Sequence, residues 1–555
     1  MSSNPFLDLL AEVRDSAQSE VPAVKAEPKD IRVTYEDFDF DKLHVYAGLD
    51  CIGTSAILDR IMPKLVARDE VLVSNVGENA RRERVPSILS SFHSIEIPSQ
   101  EFIIDLEING MGYSPERNRI LNDRMDAQVA ELDELIFTQI GEKVDLNSGP
   151  AVAEFLYNKR GFIPPNFTKA GEPATDGMAL MVLAGLDPLG NKYATKNPDL
   201  QYLAHMAKRR DIFSACNTFV RTYVRDFVKR DGRIHPSYNQ FGTSSFRITG
   251  SDPNLTQLPR AKHGYNIRTC YTVRPGFVFI SFDFSSAEVK VLANISKEPA
   301  MMRAIADGLD FHTFSASEMK GIPYAEIAAI LKDDAHPLFK EYKGLRQLSK
   351  VLTFSILYGS SIAGIAAQLN LELSKAEELI NLYFNTFPKV REYIENSHRF
   401  AINNQFVITP LGQRKREFGT YKCFKGTAAY NAALRNAQNV IIQSTTSSIG
   451  LVTFAELNER IKPYGAMSIC TVYDSIEIEC PIETAAKVID ICYDTLDNYP
   501  LEVFKFLELP IGCEGDVGIS WGETKVVHPG VSQEEILAEI AKIRQQSAAS
   551  FGASI

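Results

Sequence analysis

Two short apolar segments, far apart in the chain, each place an aspartate at the end of a strand, and this pair constrains the fold more than any other feature. The segment YTVRPGFVFISFDFSS predicts a hairpin that turns at residues 274–276 and whose second strand ends at Asp283. The segment MSICTVYDSIEIEC predicts a second hairpin with Asp474 in its turn. Two carboxylates on adjacent strands stay ionised only if cations lie between them. The pair therefore predicts a Mg²⁺ site that also takes phosphate oxygens, unless each aspartate only caps its turn.

The composition is that of a folded chain with several domains. Its 555 residues are 45% hydrophobic and 23% charged, which excludes the disordered, fibrous and membrane-embedded classes. That length allows roughly three or four domains. The eight cysteines include no CxxC pair, which speaks against a zinc site and favours a reducing compartment. Because there is no apolar run of about 18 residues and no signal-peptide pattern, we expect a soluble cytoplasmic protein with no membrane partner.

The formal net charge of −11 is unevenly distributed. Residues 1–60 carry 12 acidic and 6 basic side chains, and residues 471–555 carry 15 and 5. The remainder is therefore net positive, and residues 201–260 alone hold ten Lys or Arg against four Asp. An acidic total is thus compatible with a nucleic-acid partner, because binding depends on where the basic residues lie.

Two long amphipathic helices are expected before the first aspartate. One follows the helix-start signal Ser114-Pro115-Glu116 and ends at Gly141. The other covers roughly residues 201–229 and carries much of the basic excess.

The segment RQLSKVLTFSILYG predicts a helix with cations and aromatic residues on one face. Arg346, Lys350 and Phe354 are spaced i, i+4, i+8, so they share that face. Two cations one turn apart repel each other, which favours a polyanion such as a triphosphate along the face, with Phe354 against a base or sugar. Tyr358 would end the helix as a stacking surface. The alternative is a basic surface stripe whose aromatic residues turn into the core.

Three further segments carry polar groups that a nucleic acid would use. The turn-rich loop SSFRITGSDPNLTQLPR is suited to follow a duplex backbone and its minor-groove edge, unless it is only a solvated loop. The segment LDFHTFSA places His312 just before a helix, where it would donate to a phosphate or have a structural role. The segment LRNAQNVIIQSTTSS predicts a polar stripe on an apolar helix. The polar residues of the loop and the stripe are Arg247, Asn254, Gln257, Arg260, Arg435, Asn439 and Gln443.

Taken in order, these segments resemble the motifs of family A (DNA polymerase I-like) DNA polymerases, over roughly residues 98–525. DFSSAEVKVLA resembles motif A, RQLSKVLTFSILYG motif B, and TVYDSIEIEC motif C. The resemblance implies an α+β multidomain fold in the form of a right hand, with an antiparallel palm sheet and helical fingers and thumb. It also implies template-directed addition of dNTPs to a primer 3′-OH by a two-metal mechanism, in DNA replication or repair. The partners would be primer-template DNA and dNTPs, and the cofactor two Mg²⁺ ions.

The same resemblance assigns roles to individual residues. Asp283, Asp474 and the Phe284 carbonyl would hold the Mg²⁺ ions, and Lys350 would also be a catalytic proton donor. Glu288 would exclude a ribose 2′-hydroxyl. The dNTP-binding set would be Arg346, Lys350, Phe354, Tyr358, His312 and Glu288. The DNA-binding set would be Arg247, Asn254, Gln257, Arg435, Asn439, Gln443 and Tyr473.

Two departures from the family pattern affect these expectations. Motif C commonly reads His-Asp-Glu, whereas here it reads Tyr473-Asp474-Ser475, so a third acid near the metals is missing. The segment YAGLD, with Tyr46 and Asp50, resembles the last motif of the family's 3′–5′ exonuclease, but only 45 residues precede it. We therefore expect a truncated, RNase H-like exonuclease remnant that cannot proofread by itself, and a phage-like or split-gene origin. A separately encoded exonuclease or a processivity factor is a candidate partner.

The resemblance divides the chain into seven segments. They are a flexible leader at 1–30, the exonuclease remnant at 31–98, the thumb at 99–230, the first palm segment at 231–293, the fingers at 294–422, the second palm segment at 423–528, and a C-terminal helix and tail at 529–555. A phage protein would act in the host cytoplasm. Two other functions stay open: a single-subunit RNA polymerase-like enzyme, which Glu288 disfavours, and a catalytically inactive DNA-binding subunit, which the retained Asp283 and Asp474 disfavour.

Overall fold

The computed structural model describes residues 54–67, 88–186, 197–369, 371–412, 414–415 and 424–551. The chain divides into two compact units, Met1–Gly77 and Glu78–Ile555. In the first unit, residues 54–67 form a helix. Most of the exonuclease remnant predicted at 31–98, including Tyr46 and Asp50, lies outside the described residues. The following paragraphs concern the second unit.

A five-stranded antiparallel sheet lies at the centre of this unit, in the order β11-β10-β5-β9-β8. Three two-stranded pairs accompany it: β1-β2, β3-β4 and β6-β7. The strands are β1 Met111–Gly112, β2 Arg233–Ile234, β3 Ser237–Asn239, β4 Thr249–Ser251, β5 Phe277–Phe284, β6 Val407–Ile408, β7 Arg414–Lys415, β8 Met467–Val472, β9 Ser475–Pro481, β10 Cys513–Ser520 and β11 Glu523–Val527. Because β5 is covered on both faces over most of its length, it reads as a nearly continuous apolar run.

Of the two predicted hairpins, the structure contains the second but not the first. Strands β8 and β9 pair across the turn at Tyr473 and Asp474. The residues before β5 do not pair with it, because β9 and β10 occupy both of its edges. Instead, Tyr271 and Thr272 form isolated bridges to Tyr113 and Ser520. The prediction of a hairpin there was wrong, since the partners of a central strand come from distant segments that a local pattern does not reveal.

Helices surround the sheet. They are α1 Ile88–Ser91, α2 Ile97–Asn109, α3 Pro115–Ile140, α4 Gly149–Ala153, α5 Gly177–Leu183, α6 Gln201–Ala215, α7 Tyr223–Phe227, α8 Ala287–Ser296, α9 Pro299–Ala306, α10 Phe311–Lys320, α11 Tyr324–Ile330, α12 Phe339–Leu357, α13 Ile362–Leu369, α14 Leu373–Thr386, α15 Pro388–Asn404, α16 Ala428–Ile461, α17 Ala485–Val503 and α18 Gln533–Phe551. Three π-helical stretches continue from α1, α4 and α6: Phe92–Glu96, Glu154–Lys159 and Cys216–Thr222.

Both predicted long helices are present and pack against each other. The first is α3, where the Ser114 hydroxyl accepts a hydrogen bond from the Arg117 amide, and Gly141 ends the helix with a φ of +77°. The second runs from α6 through a π-helical stretch into α7 and ends at Phe227. One apolar cluster forms the core of a helical arm, and a second joins these helices to the sheet at Phe279 and Ile469.

Helix α2 crosses the predicted boundary at residue 99 and packs on the central sheet. Its residues Phe102 and Leu106 belong to the same buried cluster as the apolar residues of β5 and β9. The Phe102 ring also lies 6.3 Å from that of Phe454 on α16. Packing thus groups α2 with the sheet rather than with the helical arm that follows it in sequence.

Helix α16 and the turn after it, Ala428–Tyr464, are long and apolar enough to cross a membrane by length and composition alone. However, 78% of its most apolar window is buried inside the protein, as in a core helix. It packs against four other helices, α2, α8, α15 and α17. We therefore assign it to the protein core.

We expect Leu106→Ala to lower the free energy of unfolding by about 2–5 kcal/mol, because it leaves a cavity between α2 and the sheet. Leu106 is fully buried. Urea unfolding followed by circular dichroism measures this loss. Ile108→Ala is the matched control on the same helix: Ile108 is 68% exposed, so its change should stay within about 0.5 kcal/mol. Equal losses in both variants would contradict the packing of α2 on the sheet.

Candidate active site

The two aspartates that the sequence pairs lie side by side at the ends of adjacent strands. Asp283 is the penultimate residue of β5 and is opposite Ser475, the first residue of β9. The Phe284 amide donates a hydrogen bond to the Asp474 carbonyl over 3.1 Å, which ties the β8-β9 turn to β5. Tyr473 has a φ of +60°, a strained conformation for a residue with a side chain. The surrounding structure imposes this conformation and places Asp474 in a defined turn beside Asp283.

The electrostatics of the pair favour a bound cation. Burial and then the charges of Asp474 and Glu477 raise the pKa of Asp283 well above its usual range, and Arg260 offsets only part of this rise. Burial also raises the pKa of Asp474, despite nearby Arg247 and a side-chain hydrogen bond with Asp283. Two negative charges at these positions are therefore unfavourable unless a cation is bound.

The donor set fits a divalent ion such as Mg²⁺, which prefers oxygen ligands from a few carboxylates. Asp283 and Asp474 provide carboxylate oxygens, and the Phe284 carbonyl follows Asp283 directly in the chain. The described part of the chain contains no preassembled group of three or more His, Cys, Asp or Glu residues suited to a metal. Among the described residues, no third side chain of these types joins the pair as a direct metal ligand.

A polar cleft of about 380 Å³ opens beside the pair. Its walls include Arg260 and Arg268, which bring positive charge, and the carboxylates of Glu477 and Asp516. Sequence reasoning missed Glu477, although alternation along β9 places it on the same face as Ser475. Burial raises the pKa of Glu477 to about 7, and the neighbouring hydroxyl groups of Ser281 and Ser475 offset part of that rise.

Glu288 lies at the edge of this site in a network with Arg247 and Tyr358. The first turn of α8 follows β5 almost directly and leaves Glu288 only 5% exposed. Arg247 pairs with its carboxylate, and the Tyr358 hydroxyl is hydrogen-bonded to it. The Arg247 guanidinium also lies 5.2 Å from the centre of the Tyr473 ring. One arginine thus links the loop, α8 and the β8-β9 turn.

The cations and aromatic residues of motif B lie on α12, next to His312 on α10. Arg346 makes a two-pronged contact with Asp310, with distances of 2.9 and 2.8 Å. Although burial would raise the pKa of Asp310, hydrogen bonds from Arg346 and Thr313 lower it to about 2. Lys350 is exposed, and none of the described carboxylates forms an ion pair with it. On this helix, Arg346 is therefore held in an ion pair, and Lys350 remains accessible.

An aromatic row continues along the same face. The His312 and Phe354 rings are 5.7 Å apart, and those of Phe354 and Tyr358 are 5.8 Å apart. His312 lies in the first turn of α10, not before it, and is 3% exposed. Burial lowers its pKa to about 4, so the ring is neutral at pH 7. Its Nδ1 atom is buried without a hydrogen-bond partner.

Helix α16 connects the end of α12 to the β8-β9 turn. Gly359 lies so close that a Cβ there would be 2.7 Å from the Arg435 Cβ, and its φ of +69° also requires glycine. Further along α16, the Ser447 hydroxyl donates to the Phe246 carbonyl over 2.8 Å, next to Arg247. Gly450 then passes close to Tyr473. A stretch of 15 residues, roughly 22 Å of helix, thus spans the site.

The predicted DNA-binding residues differ in how free their side chains are. On α16, the Asn439 Oδ1 atom is buried without a partner, and Gln443 is half-buried. In the loop, Gln257 is exposed. The Asn254 side chain instead accepts hydrogen bonds from Thr256 within the loop, at 3.0 and 2.6 Å. Asn254 therefore shapes the loop itself.

Several arginines of the basic stretch 201–260 form ion pairs within the protein. Arg209 pairs with Asp133 at 2.9 Å, and Arg221 pairs with Asp126. Arg233 pairs with the fully buried Glu479 at 3.0 Å. Some of the local excess of positive charge is therefore neutralised by carboxylates from elsewhere in the fold, which a count along the sequence does not show.

Comparison with known proteins agrees with this geometry. A sequence profile described as DNA polymerase family A matches residues 115–523. The chain is 27% identical to the thermostable DNA polymerase I of Thermus aquaticus over 462 residues, which are 83% of this chain and 51% of that protein. It is 24% identical to DNA polymerase I of Chloroflexus aurantiacus over 496 residues, 89% of this chain and 48% of that protein. The chain thus spans about half the length of the curated relatives that it matches.

A solved structure supports the same assignment. The POL domain of Pol1 from M. smegmatis, in complex with DNA primer-template and dNTP, aligns with a TM-score of 0.67 and 25% identity. The alignment covers 79% of this chain and 72% of that one. The predicted α+β polymerase fold is confirmed. With the profile matching most of its length, the chain belongs to DNA polymerase family A.

Proposed function

We propose that this chain is a template-directed DNA polymerase that adds dNTPs to a primer 3′-OH. The observation that supports this most is the pair of carboxylates on β5 and the β8-β9 turn, which lie side by side and line a polar cleft. Carboxylates brought together in this way suit a site that is completed by cations and a polyanionic substrate. Membership of DNA polymerase family A supports the same reaction.

The cofactor in this proposal is a pair of Mg²⁺ ions bound by Asp283, Asp474 and the Phe284 carbonyl. When bound, such ions lower the pKa of the attacking hydroxyl and stabilise charge on the leaving pyrophosphate. The protein's own role is to keep the two carboxylates together on a rigid sheet. The hydrogen bond from Phe284 to Asp474 and the packing of the Phe284 ring on Phe454, at 5.7 Å, serve this purpose.

In this proposal the triphosphate lies along the face of α12. Lys350 contacts the phosphates and donates the proton that the leaving pyrophosphate takes up. Arg346, oriented by Asp310, adds a second cation, and the neutral His312 offers a hydrogen bond. Phe354 packs against the incoming nucleotide, and Tyr358 stacks at the templating position.

Primer-template DNA in this proposal lies along α16 and the loop before β5. Arg435, Asn439 and Gln443 line one side, and Asn439 has a buried oxygen that lacks a partner. The other side of the DNA is lined by Arg247, Gln257 and the turn capped by Asn254. Tyr473 lies next to the primer end. Such side chains hydrogen-bond to phosphates and to minor-groove base edges.

We expect Glu288→Ala to relax discrimination between dNTPs and NTPs by about 10²-fold or more, because the buried carboxylate no longer excludes a 2′-hydroxyl. Extension with each nucleotide, compared as kcat/KM, measures this ratio. Glu298→Ala is the control: Glu298 is equally buried, at 2%, but it caps α9 instead, so this variant should keep the native ratio. An unchanged ratio in Glu288→Ala would contradict the assignment.

Primer extension on a defined template, with dNTPs or NTPs and with or without divalent ions, tests the proposed function. The expected result is template-dependent extension that requires dNTPs and a divalent ion. Equal or better use of NTPs would favour an RNA polymerase, and duplex binding without extension would favour a DNA-binding subunit. A primer with a 3′ mismatch tests whether this chain removes a mismatched nucleotide. A cytoplasmic location and an accessory exonuclease or processivity factor complete the proposal.

A further inference from the structure

Glu477 is a buried carboxylate that faces the same cleft as Asp283 and Asp474. It is 1% exposed and lines the cleft with both aspartates. On β9 it lies two residues beyond Ser475, so both side chains point to one face of the sheet. Ser475 is opposite Asp283, whereas Glu477 is opposite Ser281. Glu477 and Asp283 are therefore diagonal neighbours, a relation that places residues about 7–8 Å apart.

One oxygen of this carboxylate has a partner and the other has none. The Ser475 hydroxyl donates to Oε1 over 3.1 Å, but Oε2 is buried without a hydrogen bond. No lysine or arginine in the described ranges forms an ion pair with Glu477. The nearby Arg268 guanidinium contacts the Trp521 ring at 4.4 Å and the Leu258 carbonyl at 3.0 Å instead. A buried anionic oxygen is costly in this state, so it requires a donor or cation from the cleft.

We propose that Glu477 is a positioning residue for the divalent cation of this cleft, and that its free oxygen accepts hydrogen bonds from the water the cation carries. A Mg²⁺ ion held by few carboxylates keeps several of its waters. The diagonal spacing suits contact through water rather than a direct bond, and Ser475 orients the carboxylate. This inference rests on the proposed function, because it takes Asp283 and Asp474 as the ligands of the ion.

Binding of Mn²⁺ to the full chain, followed by the EPR signal of the free ion without DNA, tests the inference independently of activity. Glu477→Gln keeps the size of the side chain and removes its charge, and it should weaken Mn²⁺ affinity about tenfold. Asp516→Asn is the matched control, because Asp516 is opposite Ser281 from the other side and lines the same cleft. The Mn²⁺ affinity of this variant should change by less than about twofold. The reason is that Asp516 has no buried oxygen that lacks a hydrogen-bond partner.

Rescue distinguishes a role towards the cation from a structural role. Adding Ser475→Glu to Glu477→Gln returns a carboxylate to the position opposite Asp283. This double variant should recover affinity to within about threefold of the native chain. A merely structural role of Glu477 would not be restored by an acid at another position.

Each other outcome would overturn the inference. The inference is refuted if folded Glu477→Gln binds Mn²⁺ as the native chain does. It is also refuted if Asp516→Asn loses as much Mn²⁺ affinity, or if the double variant does not recover it. Circular dichroism and thermal unfolding in EDTA report on folding. If Glu477→Gln does not fold, Glu477→Asp takes its place, since it keeps the charge but withdraws the oxygens, and the same loss is expected.

Asp474→Asn separates this inference from the proposed function. If Asp474→Asn binds Mn²⁺ as the native chain does, the proposed metal site itself is refuted. If Asp474→Asn loses binding while Glu477→Gln does not, only the role of Glu477 is refuted.

Discussion

Replacing either aspartate of the pair, Asp283→Asn or Asp474→Asn, should reduce primer extension by about 10³-fold or more. In the proposed site each carboxylate is a ligand of the cations. An asparagine in its place lacks the negative charge that binds them. Affinity for duplex DNA should stay within a few-fold of the native value, because DNA contacts arise from other side chains. Single-turnover extension and equilibrium DNA binding measure the two effects separately.

Glu514→Gln is the matched control for this experiment. Glu514 is opposite Asp283 on β10, and its charge also raises the pKa of Asp283, but its side chain is exposed. Its loss should therefore alter extension only about twofold. Full extension by Asp283→Asn, or an equal loss in Glu514→Gln, would refute the assignment of the pair.

The Asp474→Asn substitution should also make the folded chain more stable in EDTA. Because the pKa of Asp283 is raised in the folded state, its ionisation costs stability as the pH rises above the value of the unfolded chain. Asp474→Asn removes the neighbouring charge that contributes to this rise. The melting temperature at pH 8 should therefore increase, and the increase should shrink towards pH 4. A decrease at pH 8 would indicate that Asp474 mainly holds its turn together.

Lys350→Ala should lower kcat/KM for dNTPs by about 10²–10³-fold, the second largest effect that we expect. Lys350 is an exposed cation of α12 without an ion pair among the described residues, so a bound triphosphate would be its main partner. Lys350→Arg keeps the positive charge but has no proton to give at neutral pH. It should therefore recover most of the KM and little of the kcat.

Lys343→Ala is the control for the charge of the helix. Lys343 lies two turns earlier on α12, where its ammonium contacts the Phe339 ring at 5.2 Å. Because it is roughly 10 Å further along the axis, its loss should change kcat/KM by less than about threefold. Steady-state extension over a range of dNTP concentrations gives both parameters. If Lys350→Ala responds to dNTP concentration as the native chain does, the proposed role of Lys350 is contradicted.

Local patterns in the sequence were sufficient to predict the two long helices, both ends of α3 and the helix face of motif B. Ser114 and Gly141 bound α3 as their types indicate, since a cap hydroxyl and a left-handed glycine act within a few residues. The spacing of Arg346, Lys350 and Phe354 needed only the periodicity of a helix. The two aspartates could also be recognised, because each follows a short apolar strand.

Other features depend on contacts between distant segments, and no local pattern contains them. The partners of β5 come from β9 and β10, which replaced the expected hairpin before β5. The pairing of Arg233 with Glu479 removes a charge that the sequence counts as basic. The burial of Glu477 next to Asp283 likewise depends on strand register.

By itself, the sequence indicated the long helices, the two apolar strand segments beside Asp283 and Asp474, and the groups that we propose carry the chemistry. Only the tertiary structure decided which charges are neutralised, which oxygens stay without a partner, and how strongly the two aspartates affect each other. The reason is that propensity and capping act over a few residues along the chain. Desolvation and Coulomb energy instead depend on distance in space, which the packing of remote segments sets.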